Sequence, residues 1–574
     1  MLATALAVLL AGTQLLPSVA LAREGSKFRP AVHGRLGVVA TESPDASRVG
    51  RQVLESGGNA VDAAVATVFA LGVARPQSCG IGGGGFAVFR RANGHVDSID
   101  FRETAPAAFT SDTLVPPGLH KTFTGHLTVG VPGVLAGMDL LLHRYGTRSL
   151  RRSLKAPIAL ARDGIRVTPP LAQSMKDNAA RLKLFPAAAA QFLQDGQPYP
   201  VGSFLRQPDL ATTLGLIARD GPSAFYGGPI ARAVIADMQT ASQRPGDDAR
   251  MALSDFPAYR AKLRRPLLGS YRGNTIVTVP PPSSGGTTLL ETLNILSGYD
   301  LASMGQSSAD ELHLLAEAQK LAWADRNAYV ADPDFVNVPT GGIISPAYGA
   351  QRRALIDPAH AQSYKPGKPG ANPPSPRAGA SPGDFNPQGS TTHVSVIDAK
   401  GNAIALTCTI EQEFGSAVVA PGTGFLLNNE LTDFGDPGTA NEPGPGKRPR
   451  SSIAPTIVAR RGVPVLVTGA AGGARIIMGV TDTLINAIDF RQDIAHAVDA
   501  ERIDDPTGTM TIEDKRIDPA VLDALVARGH KLTRVGEYDI RPRVQAAGVD
   551  PITGLRSAVS DSRSQYAAVV QRRR

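Results

Sequence analysis

Thr391 and Thr409 form the pattern in this sequence that most directly indicates chemistry. Residues 391–398 and 403–410 alternate in polarity and predict the two strands of a hairpin. A three-residue turn at 399–401 aligns the polar faces of these strands and places Thr391 directly opposite Thr409. Side chains in such a pair have Cβ atoms about 4.5 to 5.5 Å apart, so the two hydroxyl groups can interact.

A threonine hydroxyl is a weak nucleophile at neutral pH unless a base lies beside it. Cleavage of the chain before Thr391 would release an α-amine with an unperturbed pKa of about 7.7 to 8.0, which is such a base on the same residue. Before cleavage, the hydroxyl can attack the carbonyl of Ser390 while Thr409 holds it in place. The pattern indicates a self-produced N-terminal nucleophile, but two β-favouring threonines on an exposed sheet face explain these residues equally well.

The stretch from Lys365 to Ser390 is rich in proline, glycine and serine. Such a composition is typical of an exposed, extended linker. An accessible tether leading directly into Thr391 at a strand start is the layout that self-cleavage requires.

The composition describes a globular protein of 574 residues, with 42% hydrophobic and 19% charged residues. A net charge of +8 over this length, without a dense basic run inside the chain, argues against nucleic-acid binding. The two cysteines, Cys79 and Cys408, exclude a disulfide framework and a thiolate zinc cluster, and we expect two buried free thiols. The glycines at 80–85 lack the following Lys-Ser/Thr of a phosphate-binding loop.

Residues 2–22 form an apolar run that ends in Ala20-Leu21-Ala22 before Arg23. This pattern predicts a secretory signal at residues 1–22 and therefore a periplasmic or secreted protein. A membrane anchor is the alternative, although Gly12, Gln14 and Pro17 interrupt the run.

Several further elements follow from periodicity and turn residues. The sequence predicts a helical region after a short strand within 34–72, a hairpin over 86–101 that turns at Asn93-Gly94, a stiff loop at 280–286, and a helix over 312–330.

A set of motifs runs in order along nearly the whole chain: Asp100-Phe101-Arg102-Glu103, Pro280 to Gly286, Thr391 to Val396, Leu427-Asn428-Asn429-Glu430, Pro449-Arg450-Ser451-Ser452 and Gly472-Gly473. Together they strongly resemble the γ-glutamyltransferase (glutathione hydrolase) family. The resemblance implies an α/β fold, a four-layer αββα sandwich of the N-terminal-nucleophile hydrolase type. It also implies self-cleavage into a large subunit, 23–390, and a small subunit, 391–574, which stay packed together.

The resemblance implies a reaction in which a γ-glutamyl group passes from glutathione or another γ-glutamyl compound to water, an amino acid or a dipeptide. It implies no metal and no organic cofactor. Thr391 matches the nucleophile, and Thr409 matches its hydrogen-bonding partner. Gly472 and Gly473 match the oxyanion-hole glycines, and they lie between a predicted strand and a predicted helix, where backbone N–H groups can face a developing oxyanion.

Six further residues match the family's substrate-binding positions. Arg102 matches the arginine that binds the substrate α-carboxylate, a task suited to its planar fork of donors. Two serines that add hydrogen bonds to this carboxylate and three acids that hold the α-ammonium group complete the set: Ser451, Ser452, Glu411, Glu430 and Asp433. Taken singly, each of these residues is more often a surface charge or a capping hydroxyl.

Two departures from the family pattern concern the substrate pocket, one at its entrance and one near the carboxylate end of the substrate. The segment between Asp433 and Ser451 is short and has no aromatic residue beyond Phe434, so we expect the site to resemble the lid-less bacterial members. Arg450 replaces the usual leucine and is expected to bring a positive charge near the substrate carboxylate. A cephalosporin or glutaryl acylase on the same scaffold, or a γ-glutamyl-peptide binding protein that never cleaves itself, are the alternative functions.

Overall fold

The computed structural model of the protein describes residues 28–114, 124–240, 248–370, 389–565 and 567–573. The expected signal peptide and most of the proline-rich stretch, 371–388, lie outside these ranges. None of the helices among the described residues is both long and apolar enough to cross a membrane.

The described residues form the following strands: β1 (Val32–Gly34), β2 (Val38–Ala40), β3 (Gly84–Arg90), β4 (Val96–Asp100), β5 (Ile165–Arg166), β6 (Leu193–Gln194), β7 (Gln197–Pro198), β8 (Phe204–Leu205), β9 (Lys262–Arg264), β10 (Leu267–Tyr271), β11 (Asn274–Thr278), β12 (Thr391–Ile397), β13 (Ala403–Thr409), β14 (Thr456–Arg460), β15 (Val463–Ala471), β16 (Ile503–Asp504), β17 (Met510–Glu513), β18 (Leu532–Val535), β19 (Arg543–Val549), β20 (Arg556–Ser560) and β21 (Val569–Val570).

The helices are α1 (Pro44–Glu55), α2 (Ala60–Ala74), α3 (Val134–Tyr145), α4 (Leu150–Asp163), α5 (Pro169–Leu182), α6 (Pro186–Phe192), α7 (Pro208–Asp220), α8 (Ser223–Tyr226), α9 (Pro229–Thr240), α10 (Asp255–Ala258), α11 (Gly285–Leu296), α12 (Leu301–Met304), α13 (Ala309–Tyr329), α14 (Thr340–Ile343), α15 (Pro346–Arg353), α16 (Ile476–Ile488), α17 (Ile494–Asp499) and α18 (Pro519–Ala527).

Two seven-stranded antiparallel sheets lie at the centre of the molecule. The first has the order β21-β2-β12-β13-β3-β4-β9 and the second β1-β20-β19-β15-β14-β11-β10. Strand β12 of the first sheet contacts β15 and β19 of the second. Helix α2 packs on β12 and β13, while α16 packs on β15 from the other side. The predicted four-layer αββα sandwich is confirmed, and the strand that begins with Thr391 lies in its middle.

The helical region predicted within 34–72 is confirmed and consists of two helices, α1 and α2. Gly57, with φ +87°, adopts a backbone conformation that glycine tolerates best and follows the end of α1. Asn59 then caps α2, and Asp62 completes a capping box with it. Small residues on every side of α2 allow it to pack closely against the first sheet, and nearly all of them are buried.

The predicted threonine hairpin is confirmed, with Thr391 paired to Thr409 across β12 and β13. The carboxylate of Asp398 accepts hydrogen bonds from the backbone N–H groups of Lys400 (2.9 Å) and Asn402 (3.0 Å), which closes the turn. Every residue of the two strands is buried, because helices cover one face of this sheet and the second sheet covers the other. The exposed sheet face considered from the sequence is therefore not present.

The expectation of two free thiols is wrong, because Cys79 and Cys408 form a disulfide with Cα atoms 5.5 Å apart. Strand β13 places Cys408 opposite Gly85 of β3, and the chain enters β3 from the turn that holds Cys79. A sequence separation of 329 residues therefore hides a close spatial neighbour. The disulfide ties the strand that ends in Thr409 to the glycine-rich segment beside it.

Removing this disulfide should destabilise the fold. For the Cys79→Ala/Cys408→Ala variant we expect the free energy of unfolding to fall by about 2 to 4 kcal/mol, a typical contribution of a native disulfide. Urea denaturation followed by circular dichroism measures the change, with wild type in reductant as a second comparison. Equal midpoints for oxidised wild type, reduced wild type and the variant would show that the bond adds no stability.

Candidate active site

Thr391, Thr409 and Ser390 are joined by a chain of hydrogen bonds. The hydroxyl of Thr391 donates to Oγ1 of Thr409 at 3.3 Å, and the Thr409 hydroxyl donates to the carbonyl oxygen of Ser390 at 3.1 Å. The backbone N–H of Glu411 donates to the same Thr409 oxygen at 2.8 Å. Thr409 thus uses its single hydrogen and accepts two bonds, which is the full capacity of a hydroxyl.

The residues before Thr391 are held against the rest of the site. The N–H of Ser390 donates to the carbonyl of Glu411, and its hydroxyl lies 2.8 Å from the hydroxyl of Ser78. Gly389 passes so close to Gly473 that a Cβ at position 389 would lie 2.6 Å from the Gly473 Cα. The peptide bond between Ser390 and Thr391 therefore has a fixed position beside the glycine pair.

Gly472 and Gly473 connect β15 to the helical segment that leads into α16, as the sequence predicts. Their φ angles are +147° and +61°, a region that residues with a Cβ rarely adopt. A Cβ on Gly472 would also lie 2.8 Å from the Cα of Pro542. The turn therefore needs glycine for its backbone conformation, and the start of the following helix favours negative charge nearby.

His393 lies two residues beyond Thr391 on the same face of β12, but its ring is a packing element. Its nitrogens hydrogen-bond to the hydroxyls of Thr407 (2.8 Å) and Ser395 (3.0 Å). Burial lowers the pKa of His393 to about 3, so the ring is neutral at physiological pH. The ring also packs against Gly469 of the second sheet. A neutral imidazole enclosed in this way does not serve as the base for Thr391.

Arg102 lies at the centre of a buried charge cluster. Its guanidinium pairs with the carboxylates of Glu430 and Asp433 and also donates to the carbonyl of Pro449 at 3.2 Å. Its side chain is only 1% exposed. The residues that the resemblance assigns to the two charged ends of an amino acid are thus in direct contact, as expected if one carbon of a ligand carries both groups.

Three acids of the set come together beside Arg102. One oxygen from each of Glu411, Glu430 and Asp433 lies within 4.8 Å of the others. Glu411 has φ +72°, an unusual backbone conformation for a non-glycine residue, which allows its N–H to reach Thr409. Backbone strain of this kind is found at functional sites.

Burial and mutual repulsion favour the protonated, neutral form of two carboxyl groups near Arg102, those of Glu430 and Glu103. Burial raises the pKa of Glu430 to about 7, an effect that Arg102 opposes and Asp433 reinforces. Burial also raises the pKa of Glu103 well above its usual value, with a further contribution from Glu430. For Arg102, burial lowers the pKa, but the charges of Glu430 and Asp433 raise it more, so the guanidinium stays charged.

Ser451 and Ser452 are positioned by the proline-rich loop at 280–286. The N–H and the hydroxyl of Ser284 both donate to the carbonyl of Ser451, each at 2.7 Å. Arg326 of α13 donates to the hydroxyls of Ser284 (2.8 Å) and Ser452 (3.0 Å). Residues far apart in sequence thus fix the two serines close to the backbone of Arg450, which accepts a hydrogen bond from Arg102.

Arg450 does not direct its charge as the sequence suggested. Its guanidinium donates to the carbonyls of Arg326 (3.0 Å) and Val330 (3.2 Å) at the end of α13, where a helix favours a cation.

Asn441 joins the two ends of the short segment after Asp433, since it donates to the carbonyl of Asp433 and accepts from the N–H of Arg450. The open pocket entrance stays a prediction.

Four residues that support this site were not recognised from the sequence alone. Ser78 and Gly389 hold the peptide before Thr391, and Arg326 holds Ser452. Asn428 accepts hydrogen bonds from the N–H groups of Gly130 and Glu430. Of these four, only Asn428 could have been identified from the sequence, because it lies in the motif Leu427-Asn428-Asn429-Glu430.

A family model described as Gamma-glutamyltranspeptidase matches residues 46–571. The chain belongs to the γ-glutamyltranspeptidase family. Membership explains why motifs from 100 to 473 converge on one cluster although they are far apart in the sequence.

Relatives of this chain are named either as glutathione hydrolases or as acylases. The chain is 39% identical over 536 residues to the glutathione hydrolase proenzyme of Escherichia coli (strain K12), covering 90% of this chain and 89% of the relative. It is 41% identical over 535 residues to the Acylase ACY 1 proenzyme of Pseudomonas sp. (strain V22), covering 91% and 90%. A solved cephalosporin acylase from Bacillus halodurans superimposes with a TM-score of 0.86 at 28% identity, covering 97% of this chain and 99% of that one.

The raised pKa of Glu430 predicts a pH effect on stability. In the native protein Glu430 holds its proton up to about pH 7, whereas in the unfolded chain it releases the proton at about pH 4.5. The free energy of unfolding of the protein therefore falls as the pH rises from about 4.5 to about 7. Glu430→Gln removes this contribution, so its stability should fall less than that of wild type between pH 5 and pH 8. Urea denaturation at both pH values measures the difference, with Glu537→Gln as the control. A variant as pH-sensitive as wild type would contradict the assignment.

Proposed function

We propose that the protein cleaves itself before Thr391 and then transfers γ-glutamyl groups from glutathione and similar donors to water, amino acids or dipeptides. Family membership supports the reaction class. The observation that carries the proposal is the hydrogen-bond chain from Thr391 through Thr409 to the carbonyl of Ser390, because it joins the nucleophile to the bond that must break.

Self-cleavage follows from the direction of these hydrogen bonds. Oγ1 of Thr391 attacks the carbonyl carbon of Ser390, its proton passes to Thr409, and the Thr409 proton passes to the carbonyl oxygen. The C–N bond then breaks, the nitrogen takes up a proton, and an ester joins Ser390 to Thr391. Water hydrolyses this ester and leaves a carboxylate on Ser390 and a free α-amine on Thr391.

In turnover, the freed amine serves as the base for the same hydroxyl. The Thr391 oxygen attacks the γ-carbonyl of the donor, and N–H groups of Gly472 and Gly473 stabilise the oxyanion. The leaving amine takes the proton and departs, so that a γ-glutamyl ester remains on Thr391. Water or the amine of an acceptor then attacks this ester and regenerates the enzyme.

The charge cluster explains why the donor would be a γ-glutamyl compound. The fork of Arg102 suits the α-carboxylate, with Ser451 and Ser452 as additional donors. The α-ammonium group would take the place that the guanidinium now shares with Glu430 and Asp433. The amino-acid end of the donor then satisfies all these groups at once, and an acyl chain without an amine leaves acids unpaired.

The subunits of the mature enzyme are residues 23–390 and 391–574 in this proposal. Cys79 lies in the first and Cys408 in the second, so the disulfide joins the two pieces covalently. Disulfides persist in oxidising compartments, which supports export to the periplasm or the cell exterior directed by residues 1–22.

An acylase activity is the second candidate, since acylases occur among the close relatives and the solved structures. The acids beside Arg102 favour the γ-glutamyl donor. Hydrolysis rates for γ-glutamyl anilide and glutaryl anilide, which differ by the amine, distinguish the two activities. A faster reaction with the glutaryl compound would replace the γ-glutamyl assignment by the acylase one.

Thr391→Ala should remain a single uncleaved chain because it lacks the attacking oxygen. Thr392→Val, which changes the neighbouring residue on the other face of β12, serves as the matched control and should cleave. In a reducing denaturing gel, wild type should give two bands corresponding to 23–390 and 391–574, and without reductant a single covalent species. Normal cleavage of Thr391→Ala would disprove the nucleophile assignment, and two wild-type bands without reductant would disprove the covalent link.

Arg102→Lys should cleave normally but turn over γ-glutamyl donors poorly. An ammonium group cannot reproduce a two-point contact with a carboxylate, and loss of such a contact costs on the order of 2 to 4 kcal/mol in kcat/KM. Steady-state kinetics with γ-glutamyl anilide measure the effect, and Arg48→Lys on the surface is the control. Unchanged kinetics in a folded, cleaved variant would remove Arg102 from the site.

A further inference from the structure

A second cluster of chemically active side chains lies away from the candidate active site. His313 and Glu317 are four residues apart on α13 and therefore on one face of this helix. His530 follows α18 and reaches the same place from the C-terminal part of the chain. A ligand atom from each of the three lies within 4.8 Å of the others, and all three side chains are buried.

Hydrogen bonds fix which nitrogen of His313 is free. Its Nε2 lies 2.8 Å from the carbonyl oxygen of Asp357, which can only accept, so this nitrogen carries a hydrogen. In a neutral ring, Nδ1 then has a lone pair, and it lies 2.8 Å from Nε2 of His530. The other nitrogen of His530, Nδ1, faces the carboxylate of Asp505 at 3.7 Å.

A hydrogen on Nδ1 of His530 directed at Asp505 leaves its Nε2 with a lone pair as well. With the hydrogen on Nε2 of His530 instead, the 2.8 Å contact to His313 is an ordinary hydrogen bond. A cation that binds here would replace this hydrogen bond, and the hydrogen of His530 would then lie on Nδ1, leaving a lone pair on each of the two facing nitrogens. A hydrogen-bond acceptor on the far nitrogen is the arrangement that accompanies metal-bound histidines in proteins. The carbonyl of Asp357 provides it for His313, and the carboxylate of Asp505 lies near the far nitrogen of His530 but beyond hydrogen-bond distance.

Glu317 completes the donor set. Its Oε1 forms an ion pair with the ammonium of Lys320 (2.5 Å), and its Oε2 accepts hydrogen bonds from the N–H of Gln362 (3.1 Å) and the hydroxyl of Tyr364. A carboxylate has about four lone-pair positions, so one remains. Asp505 and Glu317 supply negative charge beside the two histidines, and Lys320 pairs with Glu317. The nearby cation Arg528 is paired with Asp310.

We propose that His313, Glu317 and His530 bind one zinc-like divalent ion. Two imidazole nitrogens and one carboxylate oxygen are ligands that Zn²⁺ prefers, with water as the fourth. Tetrahedral binding at about 2.0 to 2.1 Å requires the two nitrogens to lie about 3.3 Å apart, so the rings must separate by about 0.5 Å.

The ion would join two distant parts of the chain. His313 and Glu317 precede Thr391 and His530 follows it, so under the proposed cleavage the site bridges the two subunits. The proposed ion site has a structural role and not a catalytic one. Arg326, which holds Ser452, is on the same helix thirteen residues beyond His313, about 20 Å along its axis.

Metal content tests this proposal independently of catalysis. The full-length Thr391→Ala variant is used, so that failure of the proposed cleavage has no effect on the result. After equilibration with Zn²⁺ and gel filtration, elemental analysis should find one zinc per chain. His313→Gln, His530→Gln and Glu317→Gln should lose it, while His126→Gln, which changes another buried histidine paired with an acid, should keep it. Zn²⁺ should also raise the melting temperature of the parent protein more than Mg²⁺ does.

A spectroscopic measurement covers the case in which the histidine variants do not fold. Co²⁺ added to the parent protein should give visible absorption typical of a tetrahedral site, and Zn²⁺ should displace it. Absence of zinc and of the cobalt spectrum in the folded parent protein would overturn the proposal and leave a shared proton between the two histidines. Equal zinc content in all folded variants would overturn it too, since other residues would then bind the ion.

Discussion

The hydrogen bond from Thr409 to the carbonyl of Ser390 depends on the register of one hairpin, and the rest of the candidate site is arranged around it. A shift of β13 by one residue would turn the Thr409 side chain to the opposite face of the sheet. Neighbouring strands, the disulfide at Cys408 and the packing of α2 all restrict such a shift. Much of the first sheet thus serves to keep two hydroxyl groups opposite each other.

The second constraint is electrostatic. Arg102 is buried and charged, and burial of such a group is unfavourable unless acids compensate it. Asp433 and, once it has lost its proton, Glu430 provide this compensation through their contacts with the guanidinium. The same pairing means that a zwitterionic ligand exchanges one set of ion pairs for another, so selectivity rests on the geometry of the exchange more than on net charge.

Local patterns predicted the local parts of this structure. The hairpin, the strand before Gly472 and the helix after Gly473 followed from periodicity and turn residues, because the interactions that define them are short-range. The disulfide and the direction of the Arg450 side chain did not follow from such local patterns. Both depend on which strands and helices become neighbours in space, and a sequence separation of 329 residues between two cysteines contains no information about that.

The close approach of Gly389 to Gly473 has a consequence for the moment after cleavage. If the bond before Thr391 breaks as proposed, Gly389 and Ser390 become the end of a chain that is still anchored to its own subunit. This tail starts inside the pocket, held by Ser78 and by the carbonyl of Glu411, at a high effective concentration. It is then an intramolecular competitor of the first substrate, and activation includes a second step, the departure of the tail, whose rate depends on how tightly these groups hold it.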